Sequence, residues 1–295
     1  MATTLDRGLE RDEPVELKTV VGVKRGPNFT RPLLYLLLIA IAVFFLLPIA
    51  VVVGASLKFS SEVFTDPGLI PRDPGLENYE ALFSGSAAFG KWFLNSAITA
   101  VVGTLLTLTL TSLSAYAFAR IDFPFKNILF GLLVVTLVLP GVMFLVPQSR
   151  LVIQLGLYDS LPAYILPGLA GVFGVFFMRQ FFLSIPIELE EAAYVDGANR
   201  LWTFVTVALP LAGPALATLA VITFLAFWND YLWPVIMCQN NCTLPAGLRL
   251  LQRQFTGDPG LIMAGAVVAA IPVLILYLLL QRYIVQSVAS SGIKG

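Results

Sequence analysis

Histidine is absent from this 295-residue chain, and charged residues make up only 12% of it. The missing imidazoles remove the commonest general base and the commonest metal ligand from any candidate active site. Basic and acidic residues balance at 18 each, so the chain has no overall positive field that would attract nucleic acid. Soluble domains carry about 25% charged residues, so this composition indicates that the chain is not a typical soluble domain.

Cysteine is almost as scarce, because the sequence contains only Cys238 and Cys242. Without histidine or further cysteines, these two thiols do not make a zinc site. Two interpretations remain: a local disulfide on an oxidising face, or two unremarkable small side chains. The second is the simpler and is the one predicted here.

Apolar residues are in excess: they form 58% of the chain, and the mean hydropathy is +0.86. A membrane-spanning helix needs about 20 consecutive, mostly apolar residues. The segments that meet this requirement are 33–57, 92–118, 127–147, 161–183, 212–237 and 261–285. The sequence therefore predicts an all-α integral membrane protein with six transmembrane helices.

Lysine and arginine concentrate in alternate connecting segments, including the N-terminal leader and the short loop 120–126. Because cytoplasmic loops are enriched in these residues, both termini are predicted to be cytoplasmic. The predicted regions are a leader (1–31), the first span with an outer loop (32–90), a core of five spans (91–286) that contains a cytoplasmic loop (184–211), and a C-terminal tail (287–295).

Residues 184–211 form an acid-rich stretch between two predicted spans. Pro186 suits the first turn of a helix, where its missing N–H is not needed. Gly197 fits a helix end that needs a left-handed backbone, and Asn199 then caps a second helix that Pro210 ends. We therefore predict two short helices joined by a hinge.

The first of these helices combines a narrow apolar stripe with a negative face. Leu189, Ala192 and Ala193 recur at helical spacing, and the two alanines let another surface approach closely. A hairpin lying on the inner leaflet would instead present cationic residues to anionic lipid, so a protein partner with basic residues is the favoured interpretation. The acidic residues are Glu188, Glu190, Glu191 and Asp196.

A polar and aromatic string interrupts the fifth predicted span. A carboxylate at the bilayer centre costs about 2.5–3.5 kcal/mol on insertion scales, so Asp230 is expected to face a cavity, a partner or the outer interface. The string is either part of a solute pathway or outer gate, or an interfacial aromatic belt whose polar residues close the helix. The belt is the simpler interpretation. The string consists of Trp228, Asn229, Asp230 and Tyr231.

Two further patterns concern the shape of the spans. Pro140 and Gly141 predict a bend in the third span. Small hydroxyl residues at helical spacing in the second span predict tight helix packing, with a polar pathway face as the alternative. These residues are Thr104, Thr107, Thr111 and Ser114.

The spacing within the 184–211 loop resembles a known motif. Glu191-Ala192-Ala193, three residues, Gly197, nine residues, then Val207, one residue and Leu209-Pro210 resembles the E-A-A-x3-G-x9-I-x-L-P motif of ABC-importer permeases, with valine in place of isoleucine. The strings at 177–182, 228–231 and 292–295 resemble the carbohydrate, maltose-permease-like branch of that family. The likeness extends over residues 33–295.

The resemblance implies an ABC type I importer permease fold in a bacterial-type inner membrane. It also implies a second, homologous permease subunit forming a heterodimer, two ATPase subunits that use ATP and Mg, an extracytoplasmic solute-binding protein and a sugar-like solute. The chain itself would catalyse no reaction and would bind no nucleotide, cofactor, metal or nucleic acid. The residues implied in coupling to the ATPase are Glu190, Glu191, Ala192, Ala193, Asp196, Gly197, Leu209 and Pro210.

Two other functional classes fit the sequence less well. A secondary transporter driven by an ion gradient usually has carboxylates near the middle of the bilayer and broken helices, and Asp230 is the one candidate carboxylate within a predicted span. An intramembrane enzyme would need a cluster of catalytic or metal-binding groups. The lack of histidine and of clustered carboxylates in the spans argues against such an enzyme.

Overall fold

The computed structural model of the protein describes residues 30–66, 68–84, 88–254 and 258–291, and within these ranges it is helical, with no strand. Residues 1–29 of the predicted leader and residues 292–295 of the predicted tail lie outside the described residues. The α-helices from the N-terminus to the middle of the chain are α1 (Thr30–Ser56), α2 (Ser60–Thr65), α3 (Glu77–Ser84), α4 (Phe89–Arg120), α5 (Lys126–Val135), α6 (Leu145–Gln154), α7 (Leu161–Ile165) and α8 (Val172–Ser184). Those that follow are α9 (Glu188–Val195), α10 (Arg200–Thr203), α11 (Leu209–Leu211), α12 (Gly213–Trp228), α13 (Leu232–Met237), α14 (Leu244–Gln254) and α15 (Pro259–Ser291).

The chain divides into two compact units, Met1–Pro48 and Ile49–Gly295. In the first unit, the described residues of α1 expose large apolar side chains such as Phe44 and Phe45. Lipid-facing helices have this pattern, because hydrocarbon tails take the place of a protein core. The second unit contains the remaining spans and the candidate sites.

The described residues contain the predicted spans. Four helical segments are long and apolar enough to cross a bilayer, and two bent helix pairs raise the number to six if each pair is one span. This agrees with the prediction of six transmembrane helices. The four single spans are Pro32–Ser56, Phe89–Arg120, Gly213–Met237 and Pro259–Gln281, and the bent pairs are Lys126–Val138 with Gly141–Gln154 and Leu161–Leu169 with Val172–Ser184.

The third span is sharply bent, as Pro140 and Gly141 predict. Its two helical parts meet at 97°. Leu139 has an extended backbone with ψ 126°, because the ring of the proline that follows disfavours helical geometry there. Pro140 is extended as well, with ψ 123°. The helical region then continues to Gln154, beyond the predicted end at residue 147.

The fourth span has a bend of 45° that was not predicted. The helix tightens to a 3-10 turn at Leu166–Leu169, and Gly171 then leaves the helical region with ψ 69°. Pro167 has no N–H to offer to the preceding turn, so the helical hydrogen bonds are broken within the span.

The long helix α4 is the centre of the second unit and packs against α8 and α12. The Phe227 ring of α12 lies between two glycines: a Cβ added at Gly103 would come within 2.8 Å of the ring, and one added at Gly168 within 2.6 Å. The absence of side chains at these glycines therefore allows three helical segments to approach closely.

Two of the four hydroxyl residues of α4, Thr107 and Thr111, pack against a neighbouring segment as predicted; Ser114 is half-buried, and Thr107 also lines a cavity, as the alternative predicted. Thr104, Thr107 and Thr111 are buried. A Cβ added at Gly171 would lie 2.9 Å from the Thr107 methyl, and one at Gly174 would lie 3.0 Å from the Thr111 methyl. These threonines thus meet a glycine-lined surface at α8, as expected for helices packed in a membrane.

Candidate functional site

The 184–211 loop contains the predicted hinge. Helix α9 ends in a left-handed residue, Gly197, with φ +86°. The Gly197 N–H donates to the Tyr194 carbonyl at 3.0 Å, and the Ala198 N–H donates to the Ala193 carbonyl at 3.0 Å. This pair of bonds is the Schellman arrangement that closes a helix end. The next helix, α10, starts where Asn199 accepts a bond from the Trp202 N–H at 2.8 Å, which confirms the predicted cap.

Pro210 does not end the second helix, so that prediction was wrong. The helix passes from α10 through a π-helical turn at Phe204–Ala208 into α11, which contains Pro210 and ends at Leu211. A proline inside an α-helix leaves the carbonyl four residues earlier, here that of Thr206, without its donor. Thr206 lies within the π turn, where the hydrogen-bond pattern is already shifted by one residue.

The predicted coupling residues fall into three groups by exposure. The side of the loop that faces away from the protein carries Glu191, Ala192, Asp196, Gly197 and Pro210, all exposed, whereas Ala193 and Leu209 are half-buried. The remaining member, Glu190, is only 1% exposed.

A hollow of about 400 Å³ lies beside the hinge. Large apolar side chains surround this region on the open side of the loop: Val195 is 88% exposed and Trp202 is 62% exposed. The hollow has a mainly polar lining that includes the acidic group of Asp196 and the Trp202 ring, and Val195 is exposed nearby without lining it. Its lining residues are Ala193, Asp196, Gly197, Ala198, Asn199, Trp202 and Thr206.

Glu190 is held inside the second unit by residues of α4. The Tyr116 hydroxyl donates to Glu190 Oε2 at 2.8 Å, and Arg120 Nε donates to Glu190 Oε1 at 2.7 Å. Arg120 also donates from Nη2 to the Ile185 carbonyl at 2.7 Å. The sequence did not indicate this network, because Glu190 lies 74 residues from Tyr116 and 70 from Arg120 along the chain.

A second cavity, of about 570 Å³, lies where the bends of the third and fourth spans face α4 and α12. Its walls are mainly aromatic and aliphatic, with a few polar groups. The hydroxyl of Thr107, one of the lining residues, has no hydrogen-bond partner among the described residues. The polar residues that line the cavity are Thr107, Gln148, Tyr164, Thr223 and Asp230.

The four residues of the interrupted span point in different directions. Trp228 is buried, and its Nε1 donates to the Ala269 carbonyl of α15 at 3.1 Å. The Tyr231 hydroxyl accepts a bond from Arg249 of α14. Asn229 is exposed, and only Asp230 of the four lines the cavity. The interruption itself is where the sequence predicts it, since α12 ends at Trp228 and α13 starts at Leu232, with three residues between them.

A disulfide joins Cys238 and Cys242, so the prediction of two unpaired small residues was wrong. The bond closes a short loop near the N-terminal end of α4, where Asn95 Nδ2 donates to the Cys242 carbonyl at 3.0 Å and Ser96 Oγ accepts from the Leu244 N–H at 2.7 Å. This loop and the 184–211 loop therefore contact opposite ends of α4.

Asp159 occupies the centre of the disulfide loop. Its Oδ1 accepts backbone N–H bonds from Gln239 at 2.8 Å, Asn240 at 3.0 Å and Asn241 at 2.8 Å. Desolvation by itself raises the pKa of Asp159, but these three N–H bonds and the charge of Lys91 outweigh it, so the pKa lies below its ordinary value.

We expect Asp159→Asn to lower the stability of the protein at neutral pH by about 1–3 kcal/mol, because a neutral amide accepts these bonds less strongly. Asparagine also tolerates the left-handed backbone of residue 159 (φ +56°). A lowered pKa stabilises the fold above the unfolded-state pKa of about 3.9, and this contribution disappears as the pH falls through the folded-state value. Thermal unfolding of wild type and Asp159→Asn in detergent, from pH 7 to pH 3, measures this stability difference. A difference that stays constant below pH 4 would contradict the role of the Asp159 carboxylate.

Comparison with known proteins gives a consistent result. Residues 108–290 match the family described as binding-protein-dependent transport system inner membrane component. The arabinooligosaccharides transport system permease protein of Bacillus subtilis strain 168 is 32% identical over 280 residues, which cover 92% of this chain and 100% of that protein. An sn-glycerol-3-phosphate transport system permease protein of Yersinia pestis is 34% identical over 268 residues, which cover 87% of this chain and 95% of that protein.

A solved structure has the same fold. It is a chain of a bacterial ABC transporter involved in the import of the acidic polysaccharide alginate. The TM-score is 0.74 at 23% sequence identity, and the match covers 86% of this chain and 96% of that one. The fold of the present chain is therefore that of an ABC importer permease of type I.

Proposed function

Because the chain belongs to the family of binding-protein-dependent transport system inner membrane components, we propose that it is the permease subunit of an ATP-driven importer for a sugar or sugar-like solute. ATP is hydrolysed by two separate ATPase subunits. A homologous permease completes the membrane part, and an extracytoplasmic binding protein delivers the solute. Both termini and the 184–211 loop face the cytoplasm, in line with the distribution of lysine and arginine.

The observation that carries this proposal is the open face of the 184–211 loop. Glu191 and Asp196 supply negative charge, while Val195 and Trp202 expose apolar surface next to a hollow. Exposed apolar residues outside the membrane segments indicate contact with another protein, and the acids select one with basic residues. We assign this face to the ATPase subunit.

The cavity beside the bent spans is the proposed solute pathway of this subunit. Phe173, Phe227 and Trp233 provide aromatic surface, and Asp230 provides a hydrogen-bond acceptor. Buried hydroxyls and carboxylates of this kind suit a solute with many hydroxyl groups. The cavity lining, taken over the described residues, contains no lysine or arginine that would neutralise a phosphate or a carboxylate.

This lining favours an uncharged sugar over an anionic solute. In a medium of low dielectric constant an anion needs a cationic partner, and the described residues of this lining offer none. We therefore expect the complete importer, with its own binding protein, to take up uncharged sugars such as trehalose or arabinooligosaccharides, and not sn-glycerol 3-phosphate. Uptake of radiolabelled solutes into proteoliposomes provides the measurement, and efficient uptake of the phosphate ester would contradict this choice of solute.

The energy source distinguishes an ABC importer from a secondary transporter. We expect uptake to require the separate ATPase and to persist when ionophores collapse the ion gradients while internal ATP is maintained. Proteoliposomes that contain the permease subunits without the ATPase are the matched control. Solute accumulation in that control, driven by an imposed Na⁺ or H⁺ gradient, would overturn the proposed function.

A further inference from the structure

One buried carboxylate of the 184–211 loop is not available to the ATPase. Glu190 faces inward from α9, and its two oxygens are bound separately, one by Tyr116 and one by Arg120. The exposed fraction is 1% for the Glu190 side chain and 11% for that of Arg120. A charged pair with so little solvent contact is stable only when its hydrogen bonds are satisfied, as they are here.

The surroundings of this pair keep its geometry fixed. The Tyr116 ring packs against Phe182 of α8 with centroids 5.7 Å apart, and against Phe204 of the π turn at 4.9 Å. Arg120 also binds the Ile185 carbonyl, just before α9 starts. The aromatic rings, the guanidinium and the carboxylate thus form one connected cluster between the 184–211 loop and α4.

The position of Arg120 gives the cluster a mechanical consequence. Arg120 is the last residue of α4, and the same helix contributes Thr107 to the wall of the solute cavity. By contrast, α9 joins α10 through the hinge at Gly197, where no atoms would contact an added Cβ, and joins α8 through the short segment 185–187. Backbone continuity alone would let a force on α9 be absorbed at this hinge.

We propose that Glu190 is a positioning residue that locks α9 to the end of α4, so that movement imposed on the loop is passed to the cavity wall. This inference rests on the proposed function and adds a role for a glutamate that does not touch the ATPase. Glu191 and Glu190, adjacent in sequence, therefore have different tasks: the first faces the partner and the second faces the membrane helix.

The test uses the complete importer, with both permeases, the ATPases and the binding protein, reconstituted in nanodiscs. Glu190→Gln keeps the size of the side chain but removes its charge. The matched control is Glu188→Gln, because Glu188 lies on the same helix and is exposed. In the Glu190 variant we expect the ATPase to remain bound, while stimulation of hydrolysis by the loaded binding protein falls at least about fivefold, the lower range of typical coupling effects. The control should behave as wild type.

The distance between labels on α9 and α4 shows whether Glu190 couples the movements of the two helices or only stabilises the fold. Spin labels at Glu188→Cys on α9 and Leu113→Cys on α4 occupy exposed positions outside the face assigned to the ATPase. In wild type we expect the distance between the labels to stay constant when ATP is added, because α9 and α4 move together. In the Glu190→Gln background, we expect ATP to change it by several ångströms.

A milder variant keeps the role of Glu190 testable if the importer that carries Glu190→Gln does not assemble. Tyr116→Phe removes one hydrogen bond and leaves the ion pair, so we expect an intermediate loss of stimulation with the assembly retained. Wild-type stimulation and constant label distances in both variants would overturn the role of Glu190 while leaving the proposed function intact. A wild-type chain that binds no ATPase would instead refute the proposed function itself.

Discussion

Replacing Gly197 with valine is expected to reduce solute uptake at least about tenfold, the effect of roughly 1.4 kcal/mol on an equilibrium. The backbone of this residue has φ +86°, a conformation that costs other L-residues about 1–2 kcal/mol and β-branched residues most. No atom lies within 4 Å of an added Cβ, so the effect comes from the backbone and not from a steric clash. The turn would change shape, and Glu191 and Asp196 of the α9 side would no longer be held in place relative to Trp202 of α10.

Gly197→Asn is the matched control, because asparagine tolerates the left-handed region. Uptake into proteoliposomes and retention of the ATPase during purification are the two measurements. We expect loss of uptake and weaker ATPase retention with valine, and near-normal values with asparagine. Equal uptake by both variants would show that the left-handed turn is not needed for coupling.

Gly168→Ala is expected to destabilise the protein by about 1–3 kcal/mol, as overpacking of a filled core does. The new methyl group would come within 2.6 Å of the Phe227 ring. Gly103 of α4 lies against the other edge of the ring, so the ring can yield mainly towards the cavity that it lines. The same ring lines the solute cavity, so we also expect slower uptake.

A double-mutant cycle identifies the cause. Phe227→Leu frees space beside residue 168, so the combined variant should lose clearly less stability than the sum of the single losses. Gly131→Ala is the control, since nothing lies within 4 Å of a Cβ at that position. Thermal unfolding in detergent provides the data. Additive losses would contradict the packing of Phe227 between the two glycines.

The features that could be predicted from the sequence have local causes. A run of apolar residues crosses a membrane whatever it packs against, so the spans follow from composition alone. The bend at Pro140 and the turn at Gly197 follow from the backbone chemistry of a single residue. The position of α9 between Pro186 and the hinge is predictable for the same reason.

The features that could not be predicted depend on distant residues. In α9, Glu190 lies on the inward side of the helix, together with the half-buried Ala193 three residues later. Glu188 and Glu191 are also three residues apart, and both lie on the exposed side. The identity of its partners depends on how α4 packs, which the local pattern does not contain. The disulfide was missed for a similar reason: two cysteines four residues apart form a bond only if the intervening loop bends back, here around Asp159.

The disulfide between Cys238 and Cys242 also has a consequence for how the protein is produced. The loop that holds Asp159 is closed by a disulfide, a bond that forms and persists in an oxidising environment. Production of the protein with this bond intact therefore depends on the thiol-oxidising enzymes of the host cell. Expression in a strain without them, or purification with dithiothreitol, would yield a mixture of open and closed loops. Such preparations would differ from batch to batch even though their amino-acid sequence is the same, and the open form would be heavier by only two hydrogen atoms.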